Sequence, residues 1–127
     1  DILMTEVCPE DFLQLGLKIL RENPLLKKVG MGLIFEDITF YNKRFIQGIE
    51  SQLYHIPIGE NQYFAGVDTT FAVYRNYRHY SIYEAARLTG NYMAKHLPWY
   101  YDYDHLPQDE AYYLQHANQS STLKLKL

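Results

Sequence analysis

Apolar residues at Phe12, Leu15, Ile19 and Leu20 recur at helical spacing behind Pro9-Glu10-Asp11. A proline and two carboxylates suit the first turn of a helix, so the pattern predicts an amphipathic helix. Asn23-Pro24 ends it, because the residue before a proline avoids helical backbone. The run KKVGMGLIF (27–35) predicts a buried strand with Val29, Met31, Leu33 and Phe35 on one face and two glycines on the other. Those glycines leave room for another backbone or a ligand. Residues 41–54 predict a second amphipathic helix with Phe45, Ile46, Ile49 and Leu53 inward.

HIPIGEN (55–61) reads as a loop, and QYFAGVDTTFAVYRN (62–76) as the longest strand, with one glycine for a bulge. The spacing over 81–95 is compatible with a helix that Gly90 weakens. HLPWYYDYDHLP (96–107) reads as an aromatic loop, and Pro107 with the acids behind it starts a last helix over 107–118. The tail SSTLKLKL carries too little pattern to place. Helix and strand therefore alternate, which predicts an α/β fold with a mixed sheet flanked by helices. With only two or three strands expected, the sheet looks incomplete.

The chain has 127 residues, enough for a single domain, and its charge of −3 is interleaved with no basic stripe for nucleic acid. No apolar run is long enough for a transmembrane helix, and DILMTEVCPED lacks the basic start of a secretory signal. One cysteine, Cys8, excludes an internal disulfide and fits a reducing compartment. The expected location is therefore cytoplasmic, with a peripheral position at the inner face of the membrane as the variant. Thirteen tyrosines give flat faces with one hydroxyl each, suited to sugar rings and to protein interfaces. Glycine-rich phosphate loops, zinc-type Cys/His spacings and Gly-x-Ser-x-Gly elbows do not occur in the sequence.

Four stretches, DILMTEVCPEDFLQ, KKVGMGLIFEDI, FAGVDTTFAVYRN and KHLPWYYD, together resemble a family of bacterial glycosyltransferases with the GT-A fold. VDTTFAVYR and HLPWYYD are the specific parts, and the resemblance covers nearly the whole chain in order. It implies a parent enzyme that moves a hexose from a nucleotide-diphosphate sugar donor to a saccharide acceptor in cell-surface polysaccharide synthesis. It also implies that Asp1 is the second aspartate of an Asp-x-Asp metal motif, with the nucleotide-binding half lying outside this chain. This portion alone is then expected to bind no metal and to be inactive, and its uncovered apolar surface is expected to self-associate.

Departure of the diphosphate builds negative charge that Mg²⁺ or Mn²⁺ stabilises. The resemblance implies Asp1 as one ligand, and His96, ahead of a Pro-Trp, as the other; packing against Trp99 is the plainer role for His96. For an acceptor base, needed if the transferase inverts, Asp68 ranks first and Glu36 with Asp37 second. Asp68 is an acid in an apolar strand, costly unless paired or functional. Its plain alternative is a cap for Thr69 or Thr70, and that of Glu36-Asp37 is a solvated turn. Trp99, Tyr100 and Asp102 are the candidate acceptor-binding residues, with a core or interface role as the alternative. Arg75 and Arg78 are candidates for the diphosphate or ordinary solvated cations. A non-catalytic saccharide-binding or assembly module with a tyrosine-rich face is the rival to the enzyme.

Overall fold

A computed structural model describes residues 1–68, 70–76 and 81–118. Thr69, Arg78 and the tail after Asn118 lie outside these residues. The described elements are β1 (Ile2–Met4), α1 (Phe12–Glu22), β2 (Lys28–Leu33), α2 (Lys43–Ser51), β3 (Pro57–Gly59), β4 (Gln62–Phe64), β5 (Ala72–Tyr74), β6 (Ala85–His96) and α3 (Gln108–His116). Short 3₁₀ turns follow α2 and β6. The class is α/β: one mixed, open sheet with helices beside it. It runs β3-β4-β6-β2-β5, and β1 pairs with the far end of β6. The sheet is thus six-stranded among the described residues, rather than the two or three strands expected.

The early elements form as their patterns predict. In α1 the buried residues are Gly16, Ile19 and Leu20. Its carboxyl end is closed twice. The Asn23 side chain donates to the Ile19 carbonyl at 2.9 Å. The Arg75 guanidinium donates to the carbonyls of Leu26 (2.9 Å), Asn23 (3.3 Å) and Leu20. A cation suits the negative end of a helix dipole, so Arg75 serves as a helix cap rather than a freely solvated charge. In α2 the buried residues are Ile46 and Glu50, whereas Phe45 and Ile49 are partly exposed. The expected inward face is therefore rotated, because Glu50 turns in to meet Arg87.

Two expectations are corrected. Residues 81–95 are not helical: Ala85–His96 is the central strand, parallel to β2 along one edge. Its other edge pairs with β4 at residues 86–88 and with β1 at 94–96. The register on β2 jumps from Met31↔Leu88 to Gly32↔Met93, and Gly90 lies in the left-handed region at φ 66°. Residues 89–92 bulge out there, and the interruption hides the strand period. Helix formers such as Ala85, Ala86, Leu88 and Met93 follow the tertiary environment instead of their propensity.

Residues 62–76 are likewise not one strand. β4 pairs with β6 and β5 pairs with the outer side of β2, so the chain must cross the sheet between them, with residues 65–68, 70 and 71 as the described part of the crossing. The crossing runs over Gly30, where an added Cβ would lie 2.5 Å from Val67 Cγ1 and 3.2 Å from Thr70 Cγ2. Asp68 rides on this crossing, exposed, and is not an acid inside a strand. The expected loop 55–61 also contains β3, which hairpins with β4 through Asn61 at φ 54°.

The core has two parts. One packs Met31, Leu33, Ile38, Phe40, Ile46, Ala94 and Trp99, and the other packs Ile19, Leu20, Leu26, Val29, Ala86 and Leu88. At Gly32, an added Cβ would stand 2.4 Å from the Leu88 carbonyl oxygen. Backbone on both strands would have to move, so Gly32→Ala is expected to cost about 2–3 kcal/mol. Chemical denaturation checks this, and a cost under about 0.5 kcal/mol would mean that β2 and β6 are less tightly apposed. Apolar residues also face outward, including Leu25 (89% exposed) and Val7 (64%).

Candidate functional site

The β1–β6 ladder sets Ile2 opposite His96, and the Leu97 amide continues it by donating to the Asp1 carbonyl at 2.8 Å. Residues far apart in sequence thereby meet: His96 Nε2 lies 3.3 Å from Asp1 Oδ2. The imidazole is buried, its edge set against Trp99 at 4.9 Å between ring centroids and 87° between planes. His96 Nδ1 is buried with no hydrogen-bond partner among the described residues. Burial pushes His96 down to about 4. The ring is therefore neutral at pH 7, with a lone pair available on whichever nitrogen lacks the proton.

The crossing segment delivers Asp68, Thr70 and Phe71 to the same place. Together with Asp1, Ile2 and His96 they line a cleft of about 430 Å³. Three of the sequence-predicted site residues, Asp1, Asp68 and His96, thus share one cleft. Outside the lining, at the start of β2, Lys28 is fully buried, with Nζ 5.5 Å from the centre of the Tyr74 ring. Burial pushes the Lys28 ammonium below its ordinary value, and the nearby Asp68 charge opposes that shift. Balancing Lys28 is a structural role for Asp68 that does not compete with a place in the cleft.

The remaining candidates lie elsewhere. Asp37 accepts from the Tyr100 hydroxyl at 2.8 Å and from Lys95 Nζ at 3.2 Å. Its carboxyl is held below the usual range, first by the Tyr100 hydrogen bond and then by Lys95. A carboxylate so stabilised is a weaker proton acceptor. Glu36 folds back on the Phe35 amide at 3.2 Å. Neither acid lines the cleft. Since successive strand residues face opposite ways, Lys95 and His96 place the two clusters on opposite faces of β6.

The three candidate acceptor-binding residues, Trp99, Tyr100 and Asp102, are not among those lining the cleft. Trp99 is 4% exposed and sits in the core, so its ring offers no stacking face; the anchoring of this loop requires it inside. Tyr100 is half-buried, with its hydroxyl at Asp37 and the Lys95 ammonium 4.8 Å from its ring centre. Asp102 caps the Asp104 amide at 3.0 Å and pairs with His105 Nδ1 at 2.8 Å, an exposed local turn. Sequence reasoning missed Phe71 and Thr70 as lining residues. Their only signal is membership of the DTTF run, which nothing but a crossing geometry would turn toward Asp1.

Asp1 Oδ2 and His96 Nε2 are spaced as neighbouring ligands of one divalent ion would be, at bond lengths of about 2.1 Å. They fit part of a Mg²⁺ or Mn²⁺ shell. Among the described residues no group of three or more His, Cys, Asp and Glu is placed to hold a metal ion. No helix among them is long and apolar enough to cross a membrane. No protein-family model matches this chain, nor does any curated protein or solved structure.

Proposed function

We propose that this chain supplies the acceptor side, and part of the metal and diphosphate site, of a bacterial GT-A-type glycosyltransferase that uses a nucleotide-diphosphate hexose. The observation that carries the reading is the meeting of Asp1 and His96 beside Asp68 in one cleft, across 95 residues of sequence. The resemblance of the motifs expects that pairing. A divalent ion held there with diphosphate oxygens supplies Lewis-acid stabilisation of the leaving group. Two protein ligands are few for such an ion, so further oxygens come from the donor and from carboxylates beyond those described.

In the reaction the bond between the hexose anomeric carbon and the diphosphate oxygen breaks, and the leaving diphosphate keeps the electron pair. The acceptor hydroxyl oxygen bonds to that carbon and gives its proton to Asp68. His96 stays neutral and orients the ligands, its ring fixed by Trp99. Asp37, engaged by Tyr100 and Lys95, holds the far face of β6 in shape. The acceptor is a saccharide of the cell surface, and the work is done at the cytoplasmic side of the membrane.

In the full-length protein, Asp68→Asn is expected to lower hexose transfer at least about 10²-fold, the scale of a lost general base. Turnover measured with a panel of nucleotide sugars and Mn²⁺, alongside thermal unfolding, checks it. Near-normal turnover in the folded variant would return Asp68 to balancing Lys28. A second reading, a non-catalytic saccharide-binding or assembly module, is favoured by the exposed tyrosines Tyr83 (69%) and Tyr112 (65%). Absence of transfer from every donor, with saccharide binding retained, would select it.

A further inference from the structure

One aromatic ring in the cleft has no part in the proposed chemistry. Phe71 lines it beside Asp68 and Thr70, opposite Asp1 and His96, and its side chain is partly exposed (38%). We propose that the open face of Phe71 is the platform on which a hexopyranose ring stacks, with the Asp68 and Asp1 carboxylates accepting hydrogen bonds from its hydroxyls. The inference rests on the transferase reading only in naming that sugar as donor or acceptor.

The platform is built in advance. The Met31 amide donates to the Phe71 carbonyl at 2.9 Å, which fixes its backbone against β2. The edge of Phe12 meets the Phe71 ring at 5.6 Å and 78°, fixing its plane. A held ring loses little freedom on binding, and the cost of ordering is what most limits weak ligands. The chemistry is also complementary. A pyranose has one face of C–H bonds that suits an aromatic surface, and a rim of hydroxyls that suits carboxylates. The volume, about 430 Å³, lies in the common range for small-molecule sites. The buried imidazole of His96, with Nδ1 lacking a partner among the described residues, closes one wall. The other aromatic candidates are engaged, Trp99 in the core and Tyr100 at Asp37.

Saturation-transfer NMR on this chain tests the platform in two arms. One uses methyl β-glucopyranoside and methyl β-galactopyranoside without metal, and the other uses uridine-diphosphate glucose with Mn²⁺. Transfer to ring C–H protons is expected in at least one arm. The glycoside arm marks the acceptor sugar, and the nucleotide arm alone marks the donor sugar. Phe71→Leu is expected to weaken that binding at least about tenfold, the scale of losing one aromatic stack. Phe71→Tyr should stay within about twofold of the wild type. If Phe71→Leu does not fold, Asp68→Asn reads the same contact from the carboxylate side. Equal binding by wild type and Phe71→Leu, or no transfer to any sugar, would overturn the platform. Glycoside binding by this chain, with no hexose transfer from any donor by the full-length protein, would retain the platform and overturn the transferase reading.

Discussion

Arg87→Ala is expected to lower folding stability by about 3–5 kcal/mol, the largest effect of any single change considered for this chain. The guanidinium is 3% exposed and the Glu50 it faces is 6% exposed. Its Nη1 donates to Glu50 Oε2 at 2.9 Å, and its Nε donates to the Gly66 carbonyl at 2.8 Å. The Tyr54 hydroxyl, 3.4 Å from Nη1, also accepts from the Leu33 amide at 3.0 Å. Four segments meet at this one residue: α2 and its following turn, β2, β6, and the start of the crossing segment. Burial pushes the Glu50 carboxyl up while the Arg87 charge pulls it back. Removing either partner leaves the other charge buried without compensation, which is why the loss is large. Replacing both by apolar residues of similar volume, Arg87→Met with Glu50→Leu, should recover most of it. Urea denaturation of the two single variants and the double variant reads this as a cycle, with a midpoint drop of about 2 M for each single change. Arg87→Lys should also be costly, since an ammonium cannot reach Glu50 and Gly66 in the same fork. A cost under about 1 kcal/mol for Arg87→Ala would mean that water enters this site.

Acid is expected to remove about 3 kcal/mol of stability through His96 alone by pH 4, measured without metal. The folded value of about 4 lies below the ordinary 6.5 of a free imidazole. A depressed value means that the fold favours the neutral ring. The contribution is therefore fully present above pH 6.5 and is lost as the pH falls from there toward 4. Its physical source is the burial of the imidazole, packed against Trp99, where a positive charge would be poorly solvated. Asp37 and Asp102, both depressed by hydrogen bonds, lose stability at lower pH still, so the wild type alone cannot separate the contributions. The comparison is with His96→Gln: the variant should lose about 3 kcal/mol less than the wild type between pH 7.5 and pH 4 in chelator-treated buffer. Parallel curves would show that His96 is solvated in the fold. The same property serves the proposed site, since only a neutral imidazole can ligate a divalent ion at pH 7.

The amino-acid pattern alone determined those elements whose local signal is uninterrupted. Phe12, Leu15, Ile19 and Leu20 predict α1, and the run 27–35 predicts β2. Pro107 with the acids Asp109 and Glu110 behind it predicts α3 from its first turn alone, for no residue of that helix is buried. The meeting of Asp1 with His96 was legible only through the motif resemblance, since no local rule links residues that far apart. The tertiary structure decided the rest. Ala85–His96 is a strand because β2 runs along one edge while β4 and β1 share the other, and its bulge at Gly90 erases the alternation that would have announced it. The chain crosses the sheet after β4 because β4 and β5 join different strands, and that crossing carries Asp68 and Phe71 to the cleft. Trp99 lies in the core rather than under a sugar, where it fixes His96 from below. Each of these outcomes depends on which strands become neighbours. Strand pairing is a contact between distant segments, so its free energy is written in no single window of the chain.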